Sequence, residues 1–340
     1  MWQYVLGIAE MMPQPGMEAP AAIESRNIEV PAGQDPGTVI PITVIRGSRP
    51  GPALALIAGN HGYEYPPILA LQRLRGQIDP AGLSGRIVMV HAANMPSFLG
   101  RTVYFSPVDG KNLNRVYPGR VDGTVSERIA YAITREVIEP ADYVLDLHCG
   151  DGNEWLRPYV YRHVTGNGPM DQAIERLVMA FGIDHAVVDR GRPTDPAASL
   201  YCSTTAITRG KPAITVESGS LGVSDEESVE RIVNGIHGVL RELRMKEGGP
   251  EPLPEAVYLD PTVVVTSPET GILYSQVECG QTVPKGALLA HITDFFGKTI
   301  AEVRSPLDGL VLYIVATPPI TEGQPVACVG SPRTSPRVIA

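Results

Sequence analysis

The chain has 340 residues, of which 43% are hydrophobic and 19% charged, with a formal net charge of −9 and a pI near 5.3. This length and apolar content allow a sizeable buried core and predict one large domain plus a smaller one. The acidic balance and the lack of a basic run argue against nucleic acids and anionic membranes as partners, because nothing would neutralise their phosphates. We therefore expect a small-molecule substrate.

The N-terminal ten residues lack the positive start of a signal peptide, and the sequence contains no apolar run of membrane-spanning length. These features predict a soluble cytoplasmic protein. The cysteines are Cys149, Cys202, Cys279 and Cys328, with no Cys-x-x-Cys pair. Their scatter predicts reduced thiols rather than disulfides or a cysteine metal site. We expect Cys149 to be packed in the core or to line a pocket.

Residues 1–26 carry several helix breakers and no regular pattern, which predicts a surface arm. Two strand-like runs follow at 28–30 and 38–45. Next comes an apolar run of strand length that ends in a glycine turn carrying His61 and Glu64. Ligands bind at the carboxyl ends of strands in open α/β sheets, and His with Glu at this spacing is a candidate first half of a zinc site.

A third ligand has to come from another strand, and the run 143–147 ends in His148. Helical spacing over 68–74 and a buried strand over 86–90 give the strand, helix, strand order of a parallel sheet. The two histidines are therefore expected at the same sheet edge. His91 also ends a strand, but we interpret it as a pocket-edge or core histidine.

The irregular segment 92–122 is long for a loop in a compact domain, which favours a functional role. Arg101 is a candidate for polarising a scissile carbonyl, and Asn114 with Arg115 for holding a substrate carboxylate. The alternative is a turn with one structural ion pair.

Glu217 ends a further strand and is followed by a glycine turn. We predict that Glu217 is the general base and the later proton donor in hydrolysis by a zinc-activated water. The alternative is a salt bridge or a capping role before the amphipathic helix predicted over 224–245.

A segment rich in Gly, Pro and charge, 247–256, is predicted to link a catalytic domain at 27–246 to a small β-domain at 257–340. The last segment contains an imperfect repeat, in which 267–271 matches 305–309 and 280–283 matches 323–326. It resembles the barrel-sandwich fold of lipoyl and biotinyl domains. Lys298 lacks the neighbours of a lipoylated lysine, so we interpret it as a solvated hairpin tip.

Four motifs in register resemble those of the succinylglutamate desuccinylase and aspartoacylase family, a branch of the zinc carboxypeptidase-like fold. They are His61-Gly-Tyr-Glu64, Asn112-Leu-Asn-Arg115, Asp146-Leu-His148 and Thr215-Val-Glu-Ser-Gly219. The resemblance implies an α/β fold with a mixed sheet flanked by helices. It also implies hydrolysis of an N-acyl amino acid to a carboxylate and a free amino acid. The implied residues are His61, Glu64 and His148 on one zinc ion per chain, Glu217 as the catalytic carboxylate, and Arg101, Asn114 and Arg115 in substrate binding.

The sequence departs from the family after Asp-Leu-His, where Thr or Ser often stands and this chain has Cys149-Gly-Asp151. N-acetylaspartate, N-succinylglutamate and N-acetyl-diaminobutyrate are therefore alternative substrates. Asp151 or Glu154 is a candidate partner for an additional substrate amine, and a solvated loop is the other interpretation. A metallocarboxypeptidase acting on short peptides and a non-catalytic binding protein are the competing functions. Homo-oligomer formation is compatible with each of them.

Overall fold

The computed structural model describes residues 20–249 and 256–333. Within these ranges the chain has a mixed α/β fold built on a large mixed sheet and helices. No helix in them is long and apolar enough to cross a bilayer. The α-helices are α1 (Tyr65–Gln77), α2 (Met95–Gly100), α3 (Val125–Ile133), α4 (Gly168–Phe181), α5 (Cys202–Ile207) and α6 (Glu226–Glu242).

The strands before residue 250 are β1 (Ala22–Val30), β2 (Thr38–Arg46), β3 (Arg49–Ala58), β4 (Ser84–Val90), β5 (Tyr143–His148), β6 (Glu154–Leu156), β7 (Tyr159–His163), β8 (His185–Asp189) and β9 (Ala213–Glu217). Those after residue 255 are β10 (Val257–Thr266), β11 (Gly271–Ser275), β12 (Thr282–Val283), β13 (Leu288–Thr293), β14 (Thr299–Arg304), β15 (Gly309–Val315), β16 (Pro319–Ile320) and β17 (Pro325–Arg333).

The centre of the large sheet consists of the parallel strands β4, β3, β5 and β9. Strand β3 is buried on both faces, which is why its sequence is almost continuously apolar. Leu54 and Leu56 belong to one core, and the alternate residues Ala55 and Ile57 belong to the other. The sheet is thus covered by helices on both sides, with its strand ends free to carry polar residues.

Helices α1, α4 and α6 pack in the first core, and α3 and α5 pack in the second. The apolar face predicted for the helix over 224–245 is buried as expected, although α6 itself spans only Glu226–Glu242. Asp225 caps this helix, since its side chain accepts a 2.8 Å hydrogen bond from the backbone N–H of Ser228.

The N-terminal strand begins earlier than predicted. Residues 22–26, assigned to a surface arm from sequence, belong to β1 and pair with β2, whereas residues 1–19 of that arm lie outside the described residues. The signal was missed because Glu24, Ser25 and Arg26 are polar and lie on an edge strand, where no apolar alternation is required. Glu24 forms an ion pair with Arg46 across the two strands.

The large sheet continues past the predicted linker. Strand β10 pairs in parallel with β8, and β17, β15 and β12 follow, while β6 pairs antiparallel with β15. A second sheet, ordered β14-β13-β11-β16, shares a hydrophobic core with these strands. Residues 250–255 of the linker lie outside the described residues, and a domain boundary at 247–256 stays a prediction.

The two copies of the sequence repeat make the same local hydrogen bonds. Ser267 and Ser305 each donate a 2.6 Å side-chain bond to the carbonyl oxygen two residues further on. Gln281 and Gln324 each accept a bond from the backbone N–H three residues earlier, at 3.1 and 3.0 Å. Lys298 is exposed in the turn between β13 and β14, as expected of a hairpin tip.

Candidate active site

A sharp turn after β3 brings His61 and Glu64 next to His148, the last residue of the neighbouring strand β5. Gly59 follows β3 with φ +74°, a left-handed conformation that suits glycine, and starts the turn to His61. Gly62 permits a close approach, because a Cβ there would lie 2.3 Å from the carbonyl oxygen of Ser97. Glu64 occupies the cap position of α1, so the turn is held between a buried strand and a buried helix.

His61, Glu64 and His148 form a buried cluster whose candidate ligand atoms all lie within 4.8 Å of one another. Glu64 Oε1 is 2.9 Å from His61 Nδ1 and 3.0 Å from His148 Nδ1. Burial disfavours the Glu64 carboxylate, but His148 and His61 outweigh this effect and lower its pKa to about 2. Burial likewise disfavours the charged form of His148, yet Glu64 and Asp146 raise its pKa well above the ordinary value.

The Nε2 atoms of both histidines face oxygen acceptors on the side away from Glu64. His148 Nε2 lies 2.9 Å from Asp146 Oδ1, and His61 Nε2 lies 3.0 Å from Asn112 Oδ1. Asp146 is fully buried and also accepts a 2.9 Å bond from the Asn60 side chain. An acceptor at Nε2 favours an N–H there, so that loss of the Nδ1 proton on metal binding would free the nitrogen that faces Glu64.

This arrangement fits a divalent metal ion. Glu64 Oε2 is buried and makes no directed hydrogen bond among the described residues, where it contacts His148 Nδ1 at 3.0 Å, so a further group is needed to satisfy it. Two imidazole nitrogens and one carboxylate form a donor set typical of a catalytic zinc site. Cys149 is buried beside the cluster, and burial together with nearby acids raises its thiol pKa well above the ordinary value, so it stays a neutral thiol.

Glu217 stands directly opposite His148 in the register of β5 and β9. Its side chain is half-buried and lines the same cleft as the cluster, at the sheet edge where it was expected. Burial raises its pKa well above the ordinary value; His148 opposes this shift, and Glu64 and Glu154 reinforce it. A carboxyl group with a raised pKa is suited to taking up and returning a proton.

A cationic wall forms one side of the cleft. Asn114 is buried, and its Oδ1 accepts a 2.8 Å bond from the backbone N–H of Cys202 at the start of α5. The guanidinium carbons of Arg115 and Arg192 lie 4.7 and 4.0 Å from the centre of the Tyr201 ring. Two arginines held against one aromatic ring offer a paired contact for a carboxylate.

Arg101 takes a different position from the other predicted residues. It directly follows α2 and has a left-handed backbone conformation, with φ 49°. Its side chain is exposed, and it is not among the residues that line the cleft. His91 is not part of the cluster, and its Nε2 is bonded to Thr43 Oγ1 at 2.8 Å.

An acidic wall faces the cleft from the loop after β5 and from β6. Tyr104 donates its hydroxyl to Glu154 Oε1 at 2.5 Å and its backbone N–H to Asp151 Oδ2 at 3.2 Å. Burial and the Glu64 carboxylate raise the pKa of Asp151 to about 6. Burial, with Asp151 and Glu64 nearby, raises the pKa of Glu154 to about 7, against the Tyr104 hydrogen bond, which lowers it.

The C-terminal strands and the turns between them also line the cleft, which has a volume of about 440 Å³. They contribute five lining residues, which are Tyr313, Pro319, Ile320, Gln324 and Pro325. The pairing of β6 with β15 places Glu154 opposite Val315, so the acidic wall is bonded to the C-terminal region. The site is therefore a cleft of limited volume that is lined by residues from both halves of the chain.

Sequence reasoning missed several lining residues, namely Tyr159, Tyr161, Arg192, Tyr201 and the five from the C-terminal strands. One signal was present in the alternation Tyr159-x-Tyr161-x-His163, which puts three ring-bearing side chains on one face of β7. The others depend on long-range strand pairing and carry no local pattern.

Comparison with known proteins identifies the family of this chain. Residues 50–243 match the model of the succinylglutamate desuccinylase/aspartoacylase catalytic domain. The chain is 31% identical over 323 residues to the N-alpha-acetyl-L-2,4-diaminobutyric acid deacetylase of Halomonas elongata, covering 88% of this chain and 92% of that protein.

Two solved structures are similar over 93% of this chain and 97% of theirs, each with a TM-score of 0.82. One is a succinylglutamate desuccinylase from a Silicibacter species, at 26% identity. The other is the product-bound ectoine utilization protein EutE (DoeB) from Ruegeria pomeroyi, at 29% identity. The family suggested by the four sequence motifs is thus confirmed, and the chain belongs to the succinylglutamate desuccinylase/aspartoacylase family.

Proposed function

We propose that this protein is a zinc-dependent deacylase that hydrolyses the amide bond of an N-acyl amino acid. The observation that carries the proposal is the cleft in which the buried cluster of His61, Glu64 and His148 lies together with Glu217 and a pair of arginines. When bound to the two histidines and Glu64, zinc would supply an activated water and polarise the scissile carbonyl.

The chain's own residues would position the substrate and move the proton. Arg115 and Arg192 would bind the α-carboxylate of the amino acid, beside the Tyr201 ring that supports both. Asn114, buried at the cleft floor, would hydrogen-bond the bound substrate. Glu217 would accept the proton of the attacking water and return it to the leaving amine. Arg101 stays a proposed contact for the acyl carbonyl, although its side chain is exposed in the described conformation.

We infer that the favoured substrate is an N-acetylated diamino acid such as N-acetyl-diaminobutyrate. The cleft has arginines on one wall and Asp151 with Glu154 on the other, a charge pattern that complements a carboxylate at one end and an ammonium at the other. The deacetylase of Halomonas elongata, named for such a substrate, supports this choice. A succinylated or aspartate-derived substrate would place a second carboxylate near these acids.

A metallocarboxypeptidase is the second candidate, because it would use the same metal ligands and carboxylate contact. The limited volume of the cleft, about 440 Å³, disfavours it, since a peptide of several residues needs more room. A non-catalytic binding protein is disfavoured because Glu217 would have no evident use in it.

We also propose that residues 257–340 form a barrel-sandwich domain whose role is to enclose the substrate.

The test is hydrolysis of a panel of N-acetyl and N-succinyl amino acids alongside dipeptides, with zinc stoichiometry measured on the same sample. We expect one zinc per chain and release of diaminobutyrate in preference to aspartate or glutamate. Turnover of dipeptides alone would replace the deacylase by a carboxypeptidase. A metal-free protein that hydrolyses none of these compounds would favour the binding protein.

A further inference from the structure

Asp189, at the end of β8, contacts two residues from different elements at the cationic wall. Its Oδ2 accepts a hydrogen bond from Arg192 Nε in an ion pair. The same oxygen accepts a bond from His163 Nδ1 at 3.1 Å. The parallel register of β7 and β8 sets His163 directly opposite Asp189, so the contact is built into the sheet. We propose that Asp189 and His163 are positioning residues that hold Arg192 ready for the substrate carboxylate.

The ion pair explains how a long, flexible side chain is kept at the cleft. The guanidinium carbon of Arg192 lies 4.0 Å from the ring centre of Tyr201 and 5.8 Å from that of Tyr161. Asp189 holds the Nε atom, which leaves the two terminal nitrogens for a ligand in the fork geometry that suits a carboxylate. The proposal rests on the proposed function, because it assigns a purpose to the carboxylate-binding wall.

His163 connects this wall to the metal cluster. It is buried, with 2% of its surface exposed, and its Nε2 lies 3.4 Å from Thr215 Oγ1. Thr215 is bonded to the Ser203 hydroxyl at 2.9 Å, and the backbone N–H of Ser203 donates to Asp146 Oδ2 at 3.3 Å. Asp146 Oδ1 in turn contacts Nε2 of His148, one of the candidate metal ligands.

One continuous chain of polar contacts therefore runs from Arg192 to the cluster. Its longest links are the contacts His163–Thr215 and Ser203–Asp146, at 3.4 and 3.3 Å. We expect a change at Asp189 to act on Arg192 first and to leave metal binding intact.

The first test is Asp189→Asn, which keeps the shape of the side chain and removes its charge. We expect KM for an N-acetyl amino acid to rise by about tenfold or more, with a smaller change in kcat and unchanged zinc content. KM for the matching carboxamide, which lacks the charge that Arg192 recognises, should change much less. Equal effects on acid and carboxamide would indicate a merely structural role and overturn the proposal.

The matched control is Asp184→Asn. Asp184 precedes the same strand and pairs with Arg157 and His185, none of which is a cleft-lining residue. Its substitution should leave the preference for the acid over the carboxamide as in the natural protein. The double variant Asp189→Asn with Arg192→Ala should lose no more than Arg192→Ala alone, because the two residues act as one unit.

A second readout needs no turnover. In ¹⁵N NMR the Nε–H of Arg192, assigned by its loss in Arg192→Lys, should exchange with solvent slowly in the natural protein and at least about tenfold faster in Asp189→Asn. Unchanged exchange would overturn the positioning role. In a further outcome, the natural protein hydrolyses no N-acyl compound, whereas Asp189→Asn shows the faster exchange and binds free 2,4-diaminobutyrate more weakly than the natural protein. This outcome would overturn the deacylase proposal and keep the positioning role of Asp189.

Discussion

Asp146 Oδ1 lies 2.9 Å from His148 Nε2, and Glu64 lies 3.0 Å from Nδ1 of the same imidazole ring. Carboxylates thus contact both nitrogens of one buried histidine. The Asp146 contact fixes which nitrogen keeps its proton and raises the basicity of the other. Ligand geometry at this site is therefore set by a residue that does not itself face the cleft.

The substitution Asp146→Asn should weaken zinc binding by about 10–100-fold, because the amide no longer holds the ring in one orientation as firmly. Competition with a chelator of known affinity measures the change. Asp142→Asn is the control, since Asp142 accepts a 2.8 Å bond from the Ala53 N–H at the opposite end of the same sheet. Equal affinities in the two variants would contradict the role given to Asp146.

The substitution His148→Ala should abolish stoichiometric zinc, because two remaining donors hold the ion much more weakly. Elemental analysis after dialysis measures the metal content. His91→Ala is the comparison, because His91 is not one of the three residues of the cluster. Its side chain is bonded to Thr43, and burial lowers its pKa. Metal loss in His91→Ala, with retention in His148→Ala, would reverse the assignment.

Replacing Glu217 by Gln should lower kcat by about 10²–10⁴-fold while zinc stays bound, because the amide cannot take up and return the proton. Steady-state kinetics and metal analysis on the same preparation separate the two effects. The exposed Glu226, which pairs with Arg73 on the surface, provides a variant of identical chemistry with no expected effect. Activity within a few-fold of the natural protein would remove Glu217 from the mechanism.

The pKa of about 7 for Glu154 predicts a pH-dependent preference for substrates with a side-chain amine. Below pH 7 the carboxyl is mostly neutral and attracts an ammonium weakly, and above pH 7 it is ionised, while the amine stays charged throughout. KM for N-acetyl-diaminobutyrate should fall by up to about tenfold between pH 6 and pH 8, following the ionised fraction.

Two controls accompany this pH measurement. N-acetyl-2-aminobutyrate lacks the amine and should show no such fall in KM. Glu154→Gln should flatten most of the pH dependence for the diamino substrate, leaving the contribution of Asp151, whose pKa is about 6. A fall of equal size for both substrates would place the titrating group elsewhere.

The packing of α6 on α4 predicts a large effect from adding one methyl group. A Cβ on Gly238 would lie 2.0 Å from the carbonyl oxygen of Ala180, so Gly238→Ala must push the helices apart. We expect a loss of about 1–3 kcal/mol in the free energy of unfolding, measured by urea denaturation. On α1, the Cβ added by Gly76→Ala would meet no atom outside its own helix backbone within 4 Å, so the change should be neutral or stabilising by up to about 1 kcal/mol.

The residues at the ends of parallel strands were predictable from sequence. His61, His148 and Glu217 each follow an apolar run, and parallel strands bring their carboxyl ends to one edge without any further information. The length and composition of the segment 92–122 also indicated Arg101, Asn114 and Arg115 as candidates for substrate binding. Of these, Asn114 and Arg115 line the cleft and Arg101 does not.

The rest of the site could not be read from local patterns. Arg192 and Tyr201 lie in irregular segments that carry no local pattern. Their part in the cationic wall is visible only in the structure, where Arg192 and Arg115 both pack against the Tyr201 ring. The pairing of β10 with β8 and of β15 with β6 joins strands about 70 and 160 residues apart in the sequence. Such pairings depend on topology rather than on the composition of either strand.

The unbroken sheet has a consequence for dividing this protein into parts. A fragment ending near residue 246 would keep every candidate metal ligand, yet it would leave β8 and β6 with unpaired backbone groups at exposed edges. Such a truncation should aggregate rather than act as a minimal enzyme. For the same reason, chimaeras between relatives should exchange substrate preference only when β6 and β15 are transferred together.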